Sequence, residues 1–146
     1  MSSVEISDGA GIFDRRHSAS SEADIEPVLG GLNQLGAGGL VIPAGIFFIG
    51  QTVRLATLAL RHRIPTIFYT REFVAAGGLA SYSGSVTESH RLSGRYAGRI
   101  LKGEKPGDLP VQQVTRVELI INLKTAKALG IEVPRQLIAR ADEVIE

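Results

Sequence analysis

The sequence predicts an α/β fold built around a parallel sheet. Three observations predict it. Between Glu22 and Tyr69 helical and extended signals alternate in the order helix, strand, helix, strand. Each extended run is short, apolar along its length and bounded by Gly or Pro, as strands buried on both faces require. The spacing of about 25 residues per pair suits a crossover connection, which is right-handed when it joins parallel strands.

Ahead of Glu22 the signals are weak. Val4–Ile6 is too short to establish a strand, and Ser7–Ser21, rich in Ser, Gly, Asp and Arg, reads as a loop; residues 1–21 are therefore expected to be an irregular amino-terminal segment. From Glu22, Ile25, Val28, Leu29, Leu32 and Leu35 recur at helical spacing behind a cap at Ser20 or Ser21. Pro27 is expected in the first turn, where its missing N–H costs nothing. Gly36, Gly38 and Gly39 end this helix, and Leu40–Pro43 follows as a buried strand.

Arg54, Thr57 and Arg61 mark the polar stripe of a second helix between Gln51 and Arg63, with Val53, Ala56 and Leu60 opposite. Ile64–Tyr69 is β-branched and aromatic, a second buried strand with Pro65 near its start. A loop carrying Gly77 and Gly78 leads to a short strand, Leu79–Tyr82. Ser85 with Glu88 three residues on is a capping box opening a third helix to about Lys102. Leu92, Tyr96 and Ile100 share one of its faces and Arg91, Arg95 and Arg99 another. Gly94 and Gly98 weaken that helix and imply close approach of a neighbour. GEKPGDLP breaks it, Val114–Ile121 reads as a strand, Asn122 caps the helix LKTAKAL that Gly130 terminates, and Pro134 opens a last helix to about Arg140.

Composition excludes several classes of function. The chain has 146 residues, enough for one core, and its 44% hydrophobic and 21% charged residues are ordinary for a globular protein. A formal charge of +1 supplies no field for nucleic acid, so no such partner is expected. Without cysteine there is no disulfide, thiolate metal site or cysteine nucleophile. The most apolar stretch, Leu40–Gly50, is about eleven residues long where a membrane helix needs roughly twenty. MSSVEISDGAGIFDRR lacks a basic segment followed by an apolar run, so no secretory signal is expected in this chain.

The chemistry-bearing motifs mostly read as structure. GAGGL at Gly36–Leu40 follows a helix and precedes a strand, the reverse of a dinucleotide loop, and DGAG at Asp8–Gly11 lacks a third glycine. His17, His62 and His90 have no partner at metal-ligand spacing, and His62, between Arg61 and Arg63, is expected to be a solvated cation at a helix end. No Gly-x-Ser-x-Gly elbow occurs. The Arg91, Arg95, Arg99 stripe reads as a solvated face. Neither a catalytic group, a metal nor a cofactor is expected. The better functional signal is polar residues at strand carboxyl ends, where open α/β sheets bind ligands. These are Pro43, Ala44 and Gly45; Tyr69, Thr70, Arg71 and Glu72; and Tyr82 and Ser83.

Several blocks resemble a known family: RHRIPTIFYTREFVAAGGLASY, then YAGRILKGEKPGDLPVQQVTRVELIINLKTAKALGIEVP, then LIARADEVIE. They are similar to the ABC transporter substrate-binding proteins that include tryptophan- and tyrosine-binding members, over roughly Glu22–Glu146. The resemblance implies a parallel three-layer α/β lobe of the type I periplasmic binding fold, incomplete relative to the two-lobe family. It implies a carboxyl-terminal portion in which Glu22–Tyr69 lies in the second lobe, Leu79–Lys102 returns to the first and Val111 onward crosses back. It also implies a small-molecule solute such as an amino acid bound by hinge closure, an ABC permease as partner and a periplasmic or membrane-associated extracellular location. The third helix, over 86–102, would lack its usual partners and favour a homo-oligomer. Members commonly carry a Ser-Tyr-Gly-Pro-Asp-like turn where this chain has Ser81, Tyr82, Ser83, Gly84 and Ser85. Two other readings fit the order of elements: a regulatory ligand-binding lobe, and a flavodoxin-like phosphate- or nucleotide-binding protein.

Overall fold

A computed structural model of the chain describes residues 2–7, 15–19, 21–112 and 115–146, the first two segments as backbone only. The elements run β1 (Ser2–Ser7), β2 (Arg15–Ala19), α1 (Glu22–Leu32), β3 (Gly39–Val41), α2 (Ile46–Gly50), α3 (Thr52–Arg61), β4 (Thr66–Phe68), α4 (Arg71–Ala75) and β5 (Ala80–Gly84). There follow α5 (Val86–Leu101), a 3-10 turn (Pro106–Asp108), β6 (Val117–Asn122), α6 (Leu123–Leu129), α7 (Arg135–Arg140) and β7 (Glu143–Ile145). They divide into two compact units: Met1–Tyr82 with Leu119–Glu146, and Ser83–Glu118.

One seven-stranded sheet runs in the order β2-β1-β3-β4-β5-β6-β7. As expected, β3, β4 and β5 are mutually parallel, each joined to the next through helix. The sheet as a whole is mixed. β1 pairs antiparallel with both β2 and β3, so the expected irregular segment contains two strands instead. Pairing with an existing edge makes strands that local composition does not reveal. β6 also runs against β5: Asn122 N–H donates to the Leu79 carbonyl at one end, Ser85 N–H to the Arg116 carbonyl at the other, each at 2.9 Å. The chain reaches β6 after the Ser83–Glu118 excursion, so no single crossover helix imposes a parallel return.

The core of the larger unit lies between the sheet and one layer of helices. Ile25, Leu29 and Leu32 from α1, Leu55, Ala56 and Leu58 from α3, and Phe73 and Val74 from α4 close over Leu40, Ile42, Phe68 and Ile120. α3 touches α1, α4 and α6, which places these four on the same side. Phe68 meets Phe73 edge to face, ring centroids 5.6 Å apart, in the geometry the aromatic quadrupole favours. On the opposite face Ile67, in the middle of β4, is 40% exposed.

Local signals explain most boundaries. Ser21 caps α1, its N–H donating to the Asp24 carboxylate at 2.8 Å. Pro27 stands inside the helix rather than in its first turn, at an exposed position. Water can therefore satisfy the Ala23 carbonyl that the missing N–H leaves. Asn122 caps α6 by accepting from Thr125 N–H at 3.0 Å, and Gly130 ends it at φ 74°. Val114, expected to begin a strand, lies outside the described residues. Three short elements were not expected: α2, which starts after Pro43; α4, capped by Thr70; and β7.

In the smaller unit α5 begins where Ser85 Oγ accepts from Glu88 N–H at 3.3 Å, as its box predicts. None of its side chains is buried. Leu92 and Tyr96 are half-buried, the Tyr96 hydroxyl donating to the Pro110 carbonyl. Arg99 leaves the expected solvated stripe to clasp Glu104, Nε to Oε1 at 2.9 Å and Nη2 to Oε2 at 2.5 Å. A methyl group at Gly94 or Gly98 would touch nothing within 4 Å, so the neighbour those glycines imply is not among the described residues.

Candidate functional site

The register brings the expected strand-end residues of the larger unit to one level. Val41 pairs with Ile67 and Phe68 with Ser81, so Pro43, Tyr69 and Tyr82 stand side by side one or two residues further along three adjacent strands. Pro43 is half-buried and Ala44 exposed, in the passage from β3 to the Gly45 cap of α2. Tyr69 is half-buried with its ring edge-on to Phe68, centroids 4.7 Å apart. Burial raises the Tyr69 phenol above its usual pKa, and the nearby Glu72 carboxylate raises it further. Tyr82, expected to end its strand, is instead the middle residue of β5, because the strand continues to Gly84, and it is 63% exposed.

Thr70 and Arg71 serve structure as well as surface. Thr70 Oγ accepts from Phe73 N–H at 3.4 Å, starting α4 directly beyond the tip. Arg71 forms a two-point ion pair with Glu143 at the start of β7, Nε to Oε2 at 2.8 Å and Nη2 to Oε1 at 2.6 Å. The hydrogen bond to Arg71 holds the Glu143 carboxyl below its usual range. Sequence reading missed Glu143, because the strand that carries it is three residues long and ends the chain's last polar stretch. Ser83 belongs to the other unit, where its hydroxyl donates to the Gly84 carbonyl at 3.3 Å.

Other motifs resolve as structure. In the glycine-rich turn Gly36 adopts φ 69°, and a Cβ on Gly39 would lie 3.3 Å from the Pro65 carbonyl oxygen, so these glycines close a turn and let β3 meet the chain entering β4. His62 is not solvated as expected. Its Nε2 is buried without a hydrogen-bond partner among the described residues and its ring faces Gly30, because the end of α3 is pinned against α1. The pin is the Asn33 amide, which donates to the His62 carbonyl at 2.8 Å. Two grooves, of about 540 Å³ along Ile49–Thr57 and about 450 Å³ between α6 and α7, contain none of the expected ligand residues. Among the described residues no cluster of His, Cys, Asp and Glu could hold a metal, and no helix is long and apolar enough to cross a membrane.

Residues 21–145 match the family model of the ABC transporter substrate binding protein. The chain belongs to that family. The tyrosine-binding protein of Clostridioides difficile strain R20291 is 28% identical over 93 residues, 64% of this chain and 27% of that protein. A conserved domain protein from Vibrio cholerae superposes at a TM-score of 0.74 with 25% identity, covering 88% of this chain and 43% of the other. The ABC domain from Streptococcus pneumonia in complex with L-Trp superposes at 0.75 with 24% identity, covering 87% and 44%. An open, ligand-free substrate binding protein with adhesive properties from Clostridium difficile superposes at 0.63, with 22% identity and 88% and 43% coverage. The chain thus spans less than half the length of the solved chains it matches, consistent with part of a two-lobe protein.

Proposed function

We propose that this chain is the carboxyl-terminal portion of the substrate-binding component of an ABC importer, holding a small solute such as an amino acid at the strand tips. The observation that carries the reading is the level row formed by Pro43 and Tyr69, just past the carboxyl ends of β3 and β4, and Tyr82 beside them in β5, within a chain of this family. The relatives named for tyrosine and solved with L-Trp favour an amino acid. The proposed partners are this solute and a cognate permease, at the periplasmic or outer face of the membrane.

Hinge closure suits the chain path. The chain leaves the larger unit after Tyr82 and re-enters at Leu119. The re-entry is pinned by two hydrogen bonds: Leu119 N–H to the Asp142 carboxylate at 2.9 Å and Asp142 N–H to the Leu119 carbonyl at 2.8 Å. A solute that touches both lobes of a two-lobe binding protein favours the closed state by its differential affinity. A thermal-shift screen tests the reading, because only ligands of the native state stabilise it, by about 2.7 kcal/mol at a hundred times Kd. L-tryptophan, L-tyrosine or another amino acid should raise Tm, and nucleotides and flavin should not. A shift with nucleotide or flavin alone overturns the reading.

Self-association through α5 is part of the same proposal. Val86 is 53% exposed, Ile100 40% and Leu101 87%, apolar surface that a second copy would cover. Sedimentation velocity at micromolar concentration should show a dimer or larger species, and Leu101→Glu should return it to monomer. A monomeric wild-type chain contradicts this part.

A further inference from the structure

Arg71 is the guanidinium at the row of tips, and its charge is already matched. Glu143 occupies the Nε–Nη2 edge of the fork at 2.8 and 2.6 Å. Two of the five guanidinium N–H groups are used; the Nη1 pair and one Nη2 hydrogen remain on the opposite edge. The arginine side chain is 55% exposed and the glutamate 37%, so the pair lies at the surface. A second carboxylate, Glu72, is close enough to act electrostatically on both Arg71 and Tyr69. At the tip of β4 the Arg71 cation is thus paired with one carboxylate and has a second next to it in sequence.

We propose that Glu143 is a specificity-determining residue of this tip: by taking one edge of Arg71 and cancelling its charge, it turns the site against net-anionic solutes and toward zwitterionic or ammonium-bearing ones. The inference rests on the reading of the tip as a solute site. An isolated arginine would attract any carboxylate or phosphate. A paired one offers directed N–H donors without net positive charge, which the carboxylate of a zwitterion can use while its ammonium group is drawn to Glu72 and to the Tyr69 ring. A solute that carries only negative charge gains no such compensation and is repelled by Glu72 and Glu143.

Acetate, a bare carboxylate, is the direct probe. Wild type, E143Q, E143A and the double variant E143Q/R71A are titrated with sodium acetate against sodium chloride at equal ionic strength, following the backbone amide signals of residues 69–72 by NMR. In the wild type the shifts should match the chloride control. E143Q and E143A should each show saturable acetate binding that the wild type lacks, and the double variant should lose it. Equal acetate binding in wild type and E143Q overturns the proposal, as does the absence of any gain in both Glu143 variants. Titration of the wild type with L-tryptophan and L-tyrosine reports separately on the solute-site reading: if neither binds while E143Q gains acetate, the charge rule stands and the amino-acid assignment falls.

Discussion

Gly78→Ala is expected to destabilise the chain by about 3 kcal/mol or more, beyond the usual cost of overpacking. A Cβ built on Gly78 would lie 2.2 Å from Cε1, 2.3 Å from Cδ1 and 2.7 Å from Cζ of Phe73. Phe73 has no exposed surface and cannot swing away, since its ring is held against Phe68. The backbone has no freedom either, because Gly78 N–H donates to the Phe73 carbonyl at 2.8 Å, closing the end of α4. Phe73→Ala should cost about 3–5 kcal/mol by itself through the cavity it leaves. The two losses should not add. With the ring gone the methyl group has room, so the double variant should be about 2 kcal/mol or more better than the sum of the singles. Urea unfolding of the four proteins measures this, and a Gly78→Ala loss within 0.5 kcal/mol would contradict the packing described. Because α4 begins with Thr70 and Arg71, this packing also fixes the height of the tip.

The second large effect is expected at Asn122. The residue is 5% exposed and joins three segments. Its Oδ1 accepts from Thr125 N–H at 3.0 Å, capping α6, and its Nδ2 donates to the Val74 carbonyl at 3.1 Å, tying α4 to the end of β6. Thr125 extends the same link by donating its hydroxyl to the Gly77 carbonyl at 2.9 Å. Asn122→Ala removes a cap worth about 1 kcal/mol and leaves a buried carbonyl without its donor, for a total of about 2–4 kcal/mol. Asn122→Asp separates the two roles. It keeps the cap oxygen but sets a carboxylate against the Val74 carbonyl, so it should be as damaging as alanine near neutral pH and recover part of the loss where acid protonates it. Thermal unfolding against pH measures both, and an Asp variant as stable as the wild type at pH 7 would contradict the assigned donor.

The sequence revealed the parts of the fold that depend on local chemistry. The caps at Ser21, Ser85 and Asn122, the glycine end of α6, and the apolar runs that became β3 and β4 all depend on neighbours a few residues away. What stayed hidden depends on distant partners. β2 and β7 are strands because another strand lies beside them, at Ser2–Ser7 and at Ile120–Asn122, and neither has an apolar run of its own. His62 looked solvated beside two arginines, yet the packing of α3 on α1 buries its ring nitrogen. The places of Pro43 and Tyr69 just past β3 and β4 were legible because parallel strands fix where their carboxyl ends lie; the extension of β5 past Tyr82 was not, nor was Glu143, which sits 72 positions from Arg71. No spacing rule connects residues so far apart.

The central claim is that the carboxyl tips of β3, β4 and β5 hold an amino acid. Titrating the labelled chain with L-tryptophan and with L-tyrosine, amide by amide in NMR spectra, tests it most directly. Saturable shifts centred on residues 43–45, 69–72 and 82 are the predicted result. Shifts centred instead on the groove along Ile49–Thr57 or on that between α6 and α7, with the tips unmoved, would contradict it.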